Sequence, residues 1–585
     1  MGKSEKIACQ NAITEMLSKG AISRCKPCPD QFISSYFLRE KQNGEKRFIF
    51  NLKKLNKFID TPHFKIENLR TALKLLSKNC YMATIDLKDG YFHIPIRKKD
   101  RKYLRFIFEG TLYEFNVLPF GLSPAPCVFT KLIKPVVHYL RSKGLCSVVY
   151  IDDFLLISED LTGCEENVRA TIELLEYLGF IINKKKSRMK PCQVREFLGL
   201  ILDSQNYKIY LTDRKREKIG EKIKQLLKAK REKIRKVAKI IGTLTSACAA
   251  VNYGWLYTKL LERGKYLALK SNGENYNRKM EISQEMKSDL KWWLKNIEVT
   301  YNPIRNNIFK LEIFTDASLT GWGSALQSGE KARGWWTGQN KNEHINILEL
   351  RAALNGLKCF ARNESNCEIL LRIDNTTAIA YINKMGGIQH KSLYEAAKEI
   401  WQWCEAKNIH IYASYINTKD NYLADSESRS LPPETEWELA NWAFNQIVDA
   451  FGNPEVDLFA SHMNAKCKTF VSWKKDPESW AVDAFTISWK DKKFYAFPPF
   501  SLILRTLRKI AIDKAEGIVV VPYWPAQPWF PLFKKLAQSN IINLEAAPNL
   551  LTSPFREKHP LANKLSLAAA VLSSKLSPAK DIQKK

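Results

Sequence analysis

The chain has 585 residues, of which 45% are hydrophobic and 26% charged, and its formal charge is +31. That length suits about three or four folded domains, and the basic excess predicts a polyanionic partner, most simply nucleic acid. No apolar run reaches the length of a bilayer span, and MGKSEKIACQ lacks a signal-peptide core, so no membrane is expected and an intracellular location, cytoplasmic or nuclear, is. The 13 cysteines are scattered and odd in number, as suits free thiols in a reducing compartment. Cys25 and Cys28 form a CxxC with no second pair at zinc-finger spacing.

Residues 5–20 have helical periodicity, with Ile7, Ala8, Ile13, Met16 and Leu17 on one side. Residues 32–56 read as strand, turn, strand and helix start, turning at Asn43-Gly44. Lys41, Lys46 and Arg47 flank that turn, giving a cationic ribbon able to close over a triphosphate or simply a solvated basic hairpin. In YMATIDLKDGYFHIPI (81–96) Asp86 ends an apolar strand, where it serves either as a cap or as a metal ligand. Tyr91 follows it, placed to stack under an incoming sugar and exclude a 2′-hydroxyl. LPFGLSPAP (118–126) is a loop before a helical run, and Gly121 within it permits close backbone approach.

SVVYIDDFLLIS (147–158) reads as two short strands with Asp152 and Asp153 at the turn between them. Two anions so close raise each other's pKa unless a cation neutralises them. Hard divalent cations prefer oxygen ligands, so Mg²⁺ is the natural partner; standing alone, the pair would read as a solvated Asp-Asp turn in an ordinary hairpin. With Asp86 as a third carboxylate, such a set suits in-line phosphoryl transfer on two metals. Farther on, Lys184, Lys185 and Lys186 could face phosphates or lie in a solvated turn, and EFLGLIL (196–202) follows.

These segments together resemble the polymerase domain of reverse transcriptases. Asp86 matches the motif A aspartate and Tyr91 the steric-gate position. LPFGLSPAP, with Phe120 and Gly121, matches the template grip; YIDD matches the polymerase signature; EFLG resembles the primer grip. Arg47 and Lys41 match the triphosphate-holding residues of the fingers, and Lys184 is carried with the substrate-binding set. The basic amphipathic stretch 208–260 then corresponds to a thumb that holds a duplex by its phosphates.

A new domain starts at LEIFTDASLTGWGSAL (311–326). Asp316 ends a strand, Glu349 lies in a helix, Asp374 ends a second strand and Asp425 opens a last helix. Each alone reads as a cap or surface group; in this order the four resemble the carboxylate set of the ribonuclease H fold. Tyr415 stands where that family often has His, and a phenol is a poor proton shuttle at neutral pH. Hydrolysis is therefore expected to be slower, with reduced product release.

TDAS, DNTTAIAYINKMGG and NYLADSESR narrow the resemblance to DIRS-type retrotransposons. That implies an element-encoded recombinase and a capsid-type protein as partners, and makes this chain a polymerase product or a piece of a longer reading frame. The Trp-, Phe- and Pro-rich region 453–540 resembles the Dam-like methyltransferase region of those elements. Its tetrapeptide, Phe497-Pro498-Pro499-Phe500, lacks the polar residue that would accept the adenine amino hydrogen, and no glycine-rich cofactor loop is evident. An inactive structural module, or a platform stacking single-stranded bases, is expected there.

The expected fold is an α+β and α/β multidomain chain. Fingers and palm occupy 1–205, thumb and connector 206–305, a ribonuclease H-like domain 306–435, a small α/β domain 450–545, and a basic mobile tail 546–585. The resemblance implies RNA-directed DNA synthesis with ribonuclease H activity, on an RNA template, a DNA primer, an RNA–DNA hybrid and deoxynucleoside triphosphates. Two Mg²⁺ per site, with Mn²⁺ possible, would be held by Asp86, Asp152 and Asp153 and by Asp316, Glu349, Asp374 and Asp425. The alternatives are a catalytically inactive nucleic-acid-binding relic and an assembly protein that uses its aromatic C-terminal part.

Overall fold

The computed structural model describes residues 2–40, 46–306, 308–336, 338–429, 437–553 and 559–574. Two compact units emerge: Met1–Ala229 with Gly242–Gly254 and Leu290–Arg305, and Lys230–Ile241 with Trp255–Asp289 and Asn306–Lys585.

At the heart of the first unit is a four-stranded antiparallel sheet, in the order Cys146–Tyr150, Asp153–Ser158, Tyr81–Asp86, Arg188–Cys192. Phe154, Leu155, Leu156 and Ile157 are buried in succession, so both faces of their strand are covered. The helix Ala125–Ser142 contributes Phe129, Ile133, Val137 and Leu140 to that core, and Leu161–Tyr177 contributes Cys164, Val168 and Leu175. The basic ribbon pairs as its sequence predicts, Ser35–Glu40 against Lys46–Asn51. Its turn, with Lys41, Asn43 and Gly44, lies outside the described residues, as does the Arg47 side chain. In the EFLG hairpin, Val194–Phe197 returns as Leu200–Asp203, through Leu198 at φ 49° and Gly199 at φ 70°. Both central residues are left-handed, as a two-residue hairpin matching the strand twist requires.

The second unit holds a five-stranded sheet in the order Lys331–Trp335, Gly321–Leu326, Leu311–Ala317, Glu368–Ile373, His410–Tyr415. The first three strands pair antiparallel and the last three parallel. Helix Ile345–Phe360 packs on this sheet through Gly356, where a Cβ would stand 2.6 Å from Ser324 Oγ. Helix Tyr422–Arg429 packs even closer: a Cβ on Gly323 would lie 2.1 Å from the Ala424 carbonyl oxygen.

C-terminal to this sheet, seven strands stand in the order three-two-one-four-five-seven-six, running Val456–Asp457, Thr469–Ser472, Ala481–Val482, Lys493–Ala496, Glu516–Pro522, Ile542–Leu544 and Leu567–Ser573. The last strand is antiparallel to both neighbours. It corrects the expectation of a mobile tail from 546 on. Leu567, Ala568, Ala569 and Ala570 are fully buried between the fifth and sixth strands, because small apolar side chains let a strand insert centrally. Lysines and serines on either side hide that run in the composition. Residues 554–558 and 575–585 of the expected tail lie outside the described residues. The folded region also begins before 450: Glu438–Leu439 pairs with Leu551–Thr552, and helix Asn441–Phe451 follows.

Gly323→Ala should destabilise the second unit by about 1–3 kcal/mol and loosen helix Tyr422–Arg429. Gly220→Ala, in helix Asp213–Leu227 with no atom within 4 Å of the new Cβ, should be neutral or stabilising by up to about 1 kcal/mol. Denaturant unfolding checks both, and amide exchange in residues 422–429 checks the first; equal effects of the two substitutions would contradict the packing described.

Candidate active sites

Asp86 closes the strand Tyr81–Asp86 directly opposite Asp153, the first residue of Asp153–Ser158. The Leu87 N–H donates to the Asp152 carbonyl at 3.0 Å, tying the bend to that strand end. Ile151 takes φ 58°, an unfavourable region for a β-branched residue, and so turns the two aspartates toward Asp86. Burial raises the pKa of both, and neighbouring anions add to it; Asp153 is pushed up to about 6, first by burial, then by Asp152 and Asp86. On its far side Asp86 is held by a segment the carboxylate pattern did not single out. Asn183 Nδ2 donates to Asp86 Oδ1 at 2.8 Å, and the Asp86 N–H donates to Ser187 Oγ at 3.0 Å. Lys186 Nζ sits 3.3 Å from Asp86 Oδ2. Of the three consecutive lysines, then, Lys186 faces the acids; Lys184 is exposed.

Tyr91 is buried beside this bend, its ring 4.9 Å from Phe120 and 5.5 Å from Phe129. Burial, with Asp152 close by, pushes its phenol up to about 12, so it remains a neutral hydroxyl. Gly121 takes φ 94°, and a Cβ there would meet the Phe50 carbonyl oxygen at 3.3 Å. Asn56 clamps the same loop: its Nδ2 donates to the Gly121 carbonyl at 2.9 Å and its Oδ1 accepts from the Ser123 N–H at 2.9 Å. Asn56 was not in the expected set, although it lies in the NLKKLNK run beside the ribbon.

In the second cluster the parallel register does the gathering. Phe314 pairs with Arg372, so two residues on, Asp316 and Asp374 emerge side by side at the strand ends. Helix Ile345–Phe360 lays Glu349 over them. One oxygen from each of Asp316, Glu349 and Asp374 lies within 4.8 Å of the others, the one such acid group among the described residues. The carboxylates at the Asp86 end of the first unit therefore stand less tightly together. Asp316 and Glu349 are each only 4% exposed. Burial pushes Glu349 up to about 9, helped by Asp316 and Asp374, and its Oε2 is buried without a hydrogen-bond partner. Asp316 rises to about 6, chiefly by burial, against a 2.6 Å hydrogen bond donated by Ser428 Oγ. Thr418 Oγ1 donates to Asp374 Oδ2 at 2.9 Å.

Asp425 stands outside this close group. Its Oδ1 lies 2.7 Å from Arg429 Nη2, one helical turn on. Tyr415 ends its strand 56% exposed. Ser428 and Thr418 were missed because hydroxyl residues carry no signal until the fold brings them to an acid. The donor set of Asp316, Glu349 and Asp374 fits a divalent cation: all oxygens, two of them deeply buried, and one with no other partner.

Residues 39–202 match the reverse transcriptase (RNA-dependent DNA polymerase) family. The enzymatic polyprotein of cauliflower mosaic virus (strain Strasbourg) is 25% identical over 435 residues, covering 69% of this chain and 58% of the relative. That of carnation etched ring virus is 28% identical over 378 residues, covering 61% and 54%. The chain thus spans a little over half the length of these relatives. The foamy viral protease-reverse transcriptase in complex with RNA/DNA hybrid aligns at 19% identity and a TM-score of 0.45, over 75% of this chain and 58% of that one. The chain is related to pararetroviral polyproteins and carries a reverse-transcriptase-like segment; nothing in these matches is specific to DIRS-type elements or to Dam-like methyltransferases. No described helix is long and apolar enough to cross a membrane.

The raised acids set a pH dependence. Folded and without metal, Glu349 and Asp316 keep protons that the unfolded chain has shed. Their stabilisation is complete below the ordinary carboxylate range and is lost as pH rises through about 6 for Asp316 and about 9 for Glu349. In EDTA the second unit's denaturation midpoint should therefore fall from pH 5 to pH 9. Glu349→Gln should flatten the upper part of that fall, and Mg²⁺ should reverse it by binding the ionised folded form. An equally steep fall in Glu349→Gln would contradict the burial of this acid.

Proposed function

We propose that the chain is an RNA-directed DNA polymerase with an attached ribonuclease H, copying RNA from a DNA primer and degrading the RNA strand of the hybrid. The observation that carries this reading is the convergence of acids distant in sequence at two strand ends, Asp86 with Asp152 and Asp153, and Asp316 with Glu349 and Asp374. Asp86, Asp152 and Asp153 would hold one pair of Mg²⁺ ions, and Asp316, Glu349 and Asp374 the other, with Asp425 joining when it leaves Arg429. Bound metal would lower the pKa of the attacking hydroxyl or water and stabilise charge on the leaving oxygen.

The chain's own residues supply the rest. Asn183, Ser187 and Lys186 fix the Asp86 carboxylate and its strand end. Tyr91, neutral and walled in by Phe120 and Phe129, would give a flat rigid surface for the sugar of a deoxynucleoside triphosphate and would exclude a 2′-hydroxyl. The Gly121 loop, clamped by Asn56, presents backbone to the template. Lys41 and Arg47 would hold the triphosphate and Lys184 a neighbouring phosphate. In the nuclease, Ser428 and Thr418 hold Asp316 and Asp374 in their ionised orientation. The domain reading follows the same division, fingers, palm and thumb before the nuclease, and we assign the chain to the DIRS-type retrotransposons on its nuclease wording. A recombinase and a capsid-type protein of the same element are the partners this implies.

Asp152→Asn should abolish primer extension on an RNA template and leave cleavage of a preformed hybrid unchanged; Asp374→Asn should do the reverse. Survival of both activities in either variant would sink the assignment, and absence of both in the unsubstituted chain would favour the inactive relic. Tyr415→His should raise the hybrid-cleavage rate by about tenfold or more near neutral pH. An unchanged rate would mean that proton transfer at this position does not limit hydrolysis.

A further inference from the structure

A cavity of about 760 Å³ opens in the second unit at the carboxyl ends of the seven-stranded sheet. Its position follows from the topology. The first and fourth strands are parallel neighbours, and the chain leaves them toward opposite sides of the sheet. The segments after Asp457 and after Ala496 therefore part, and a crevice remains between them. Its size lies within the range of about 300–1,000 Å³ usual for ligand pockets. None of the acid-cluster carboxylates lines it.

The lining selects the ligand. Trp437, Phe459, Phe497 and Phe500 form aromatic walls, and Trp335, from the edge of the five-stranded sheet, closes one side. His462 is fixed in its place by a 2.8 Å contact between Nδ1 and Asp476 Oδ2. The segment after the first strand, LFASHMN (458–464), contains neither a glycine nor a helix. Its N–H groups at Phe459, Ser461, His462 and Met463 already donate to side-chain oxygens, and on the opposite lip Pro498 and Pro499, which have no N–H, precede the helix Ile503–Asp513. What the walls offer is aromatic surface for a flat ring. A duplex cannot use them, because its bases already stack on each other. At the mouth stands Trp473, 62% exposed, with Lys474 next in the chain. An exposed tryptophan beside a lysine at a cavity mouth suits a base whose backbone runs on outside, in a chain of net charge +31.

We propose that this cavity captures unpaired bases of a single-stranded nucleic acid, which enter past Trp473 and stack within the aromatic walls. The site does not rest on either catalytic assignment. It would hold a strand beside the nuclease sheet that contributes Trp335 to its wall.

The test uses the full chain in EDTA, so that no strand is cut. A short oligonucleotide containing 5-iodouridine is cross-linked by light, and the attached peptides are identified by mass spectrometry. Attachment should occur at residues 473 or 497–500, be displaced by unlabelled single strand, and resist both duplex and free nucleosides at equal base concentration. Trp473→Ala, a surface change that leaves the walls intact, should weaken that attachment about fivefold or more; Phe500→Ala should do the same, with circular dichroism reporting its fold. Displacement by free nucleoside as effective as by strand would overturn the proposal in favour of a small-molecule pocket. Attachment confined to other residues, or indifferent to Trp473→Ala, would overturn it outright.

Discussion

Carboxylates forced together out of water are the constraint around which this molecule is arranged. Glu349 and Asp316 are almost fully buried, and Glu349 has an oxygen with no partner; Glu349 feels Asp316 and Asp374, and Asp316 feels Asp374 and Asp425 with only Arg429 against them. Removing anions from water without compensation is among the most costly things a fold can do. A fold keeps such an arrangement only where the surrounding structure over-determines it. Here parallel strand register, a helix seated through Gly356 and a second helix seated through Gly323 leave those side chains no other place to go.

The first cluster is built differently and is less severe. A cross-strand pair and a strained two-residue bend bring Asp86, Asp152 and Asp153 together, and a lysine already stands beside Asp86. Arg429 plays the corresponding part at Asp425. In both places a flexible cationic side chain on the rim offsets part of the charge, whereas the deepest acids depend on single hydrogen bonds, from Ser428 to Asp316 and from the Ala317 backbone to Glu349, and on protonation. The two clusters thus differ in how readily each changes its charge, although both rest on strand ends.

Much of this was legible in the sequence because strand and helix periods are strong signals. An acid that ends an apolar run is placed at a strand end by the run itself, as for Asp86, Asp316 and Asp374. The partners that hold those acids were not legible. Asn183, Ser187, Thr418, Ser428 and Asn56 act through short polar side chains that become specific only once distant strands meet. Lys186 was legible as a charge run but not as the member of it that faces the acids. The last strand of the C-terminal sheet was the largest omission. It is an alanine run that composition assigns to a tail, yet alanines are what a central antiparallel strand between two filled neighbours requires. The order of the sheet's seven strands joins segments too far apart for any local pattern to reveal.

The central claim is that these acids are held in place to receive divalent cations. The most direct measurement is a crystal of the full chain soaked in Mn²⁺, with anomalous diffraction recorded at the manganese edge. The account predicts anomalous peaks between Asp316, Glu349 and Asp374, and separate peaks between Asp86, Asp152 and Asp153, with Lys186 displaced from Asp86. Peaks at neither cluster, with Lys186 still on Asp86, would contradict it.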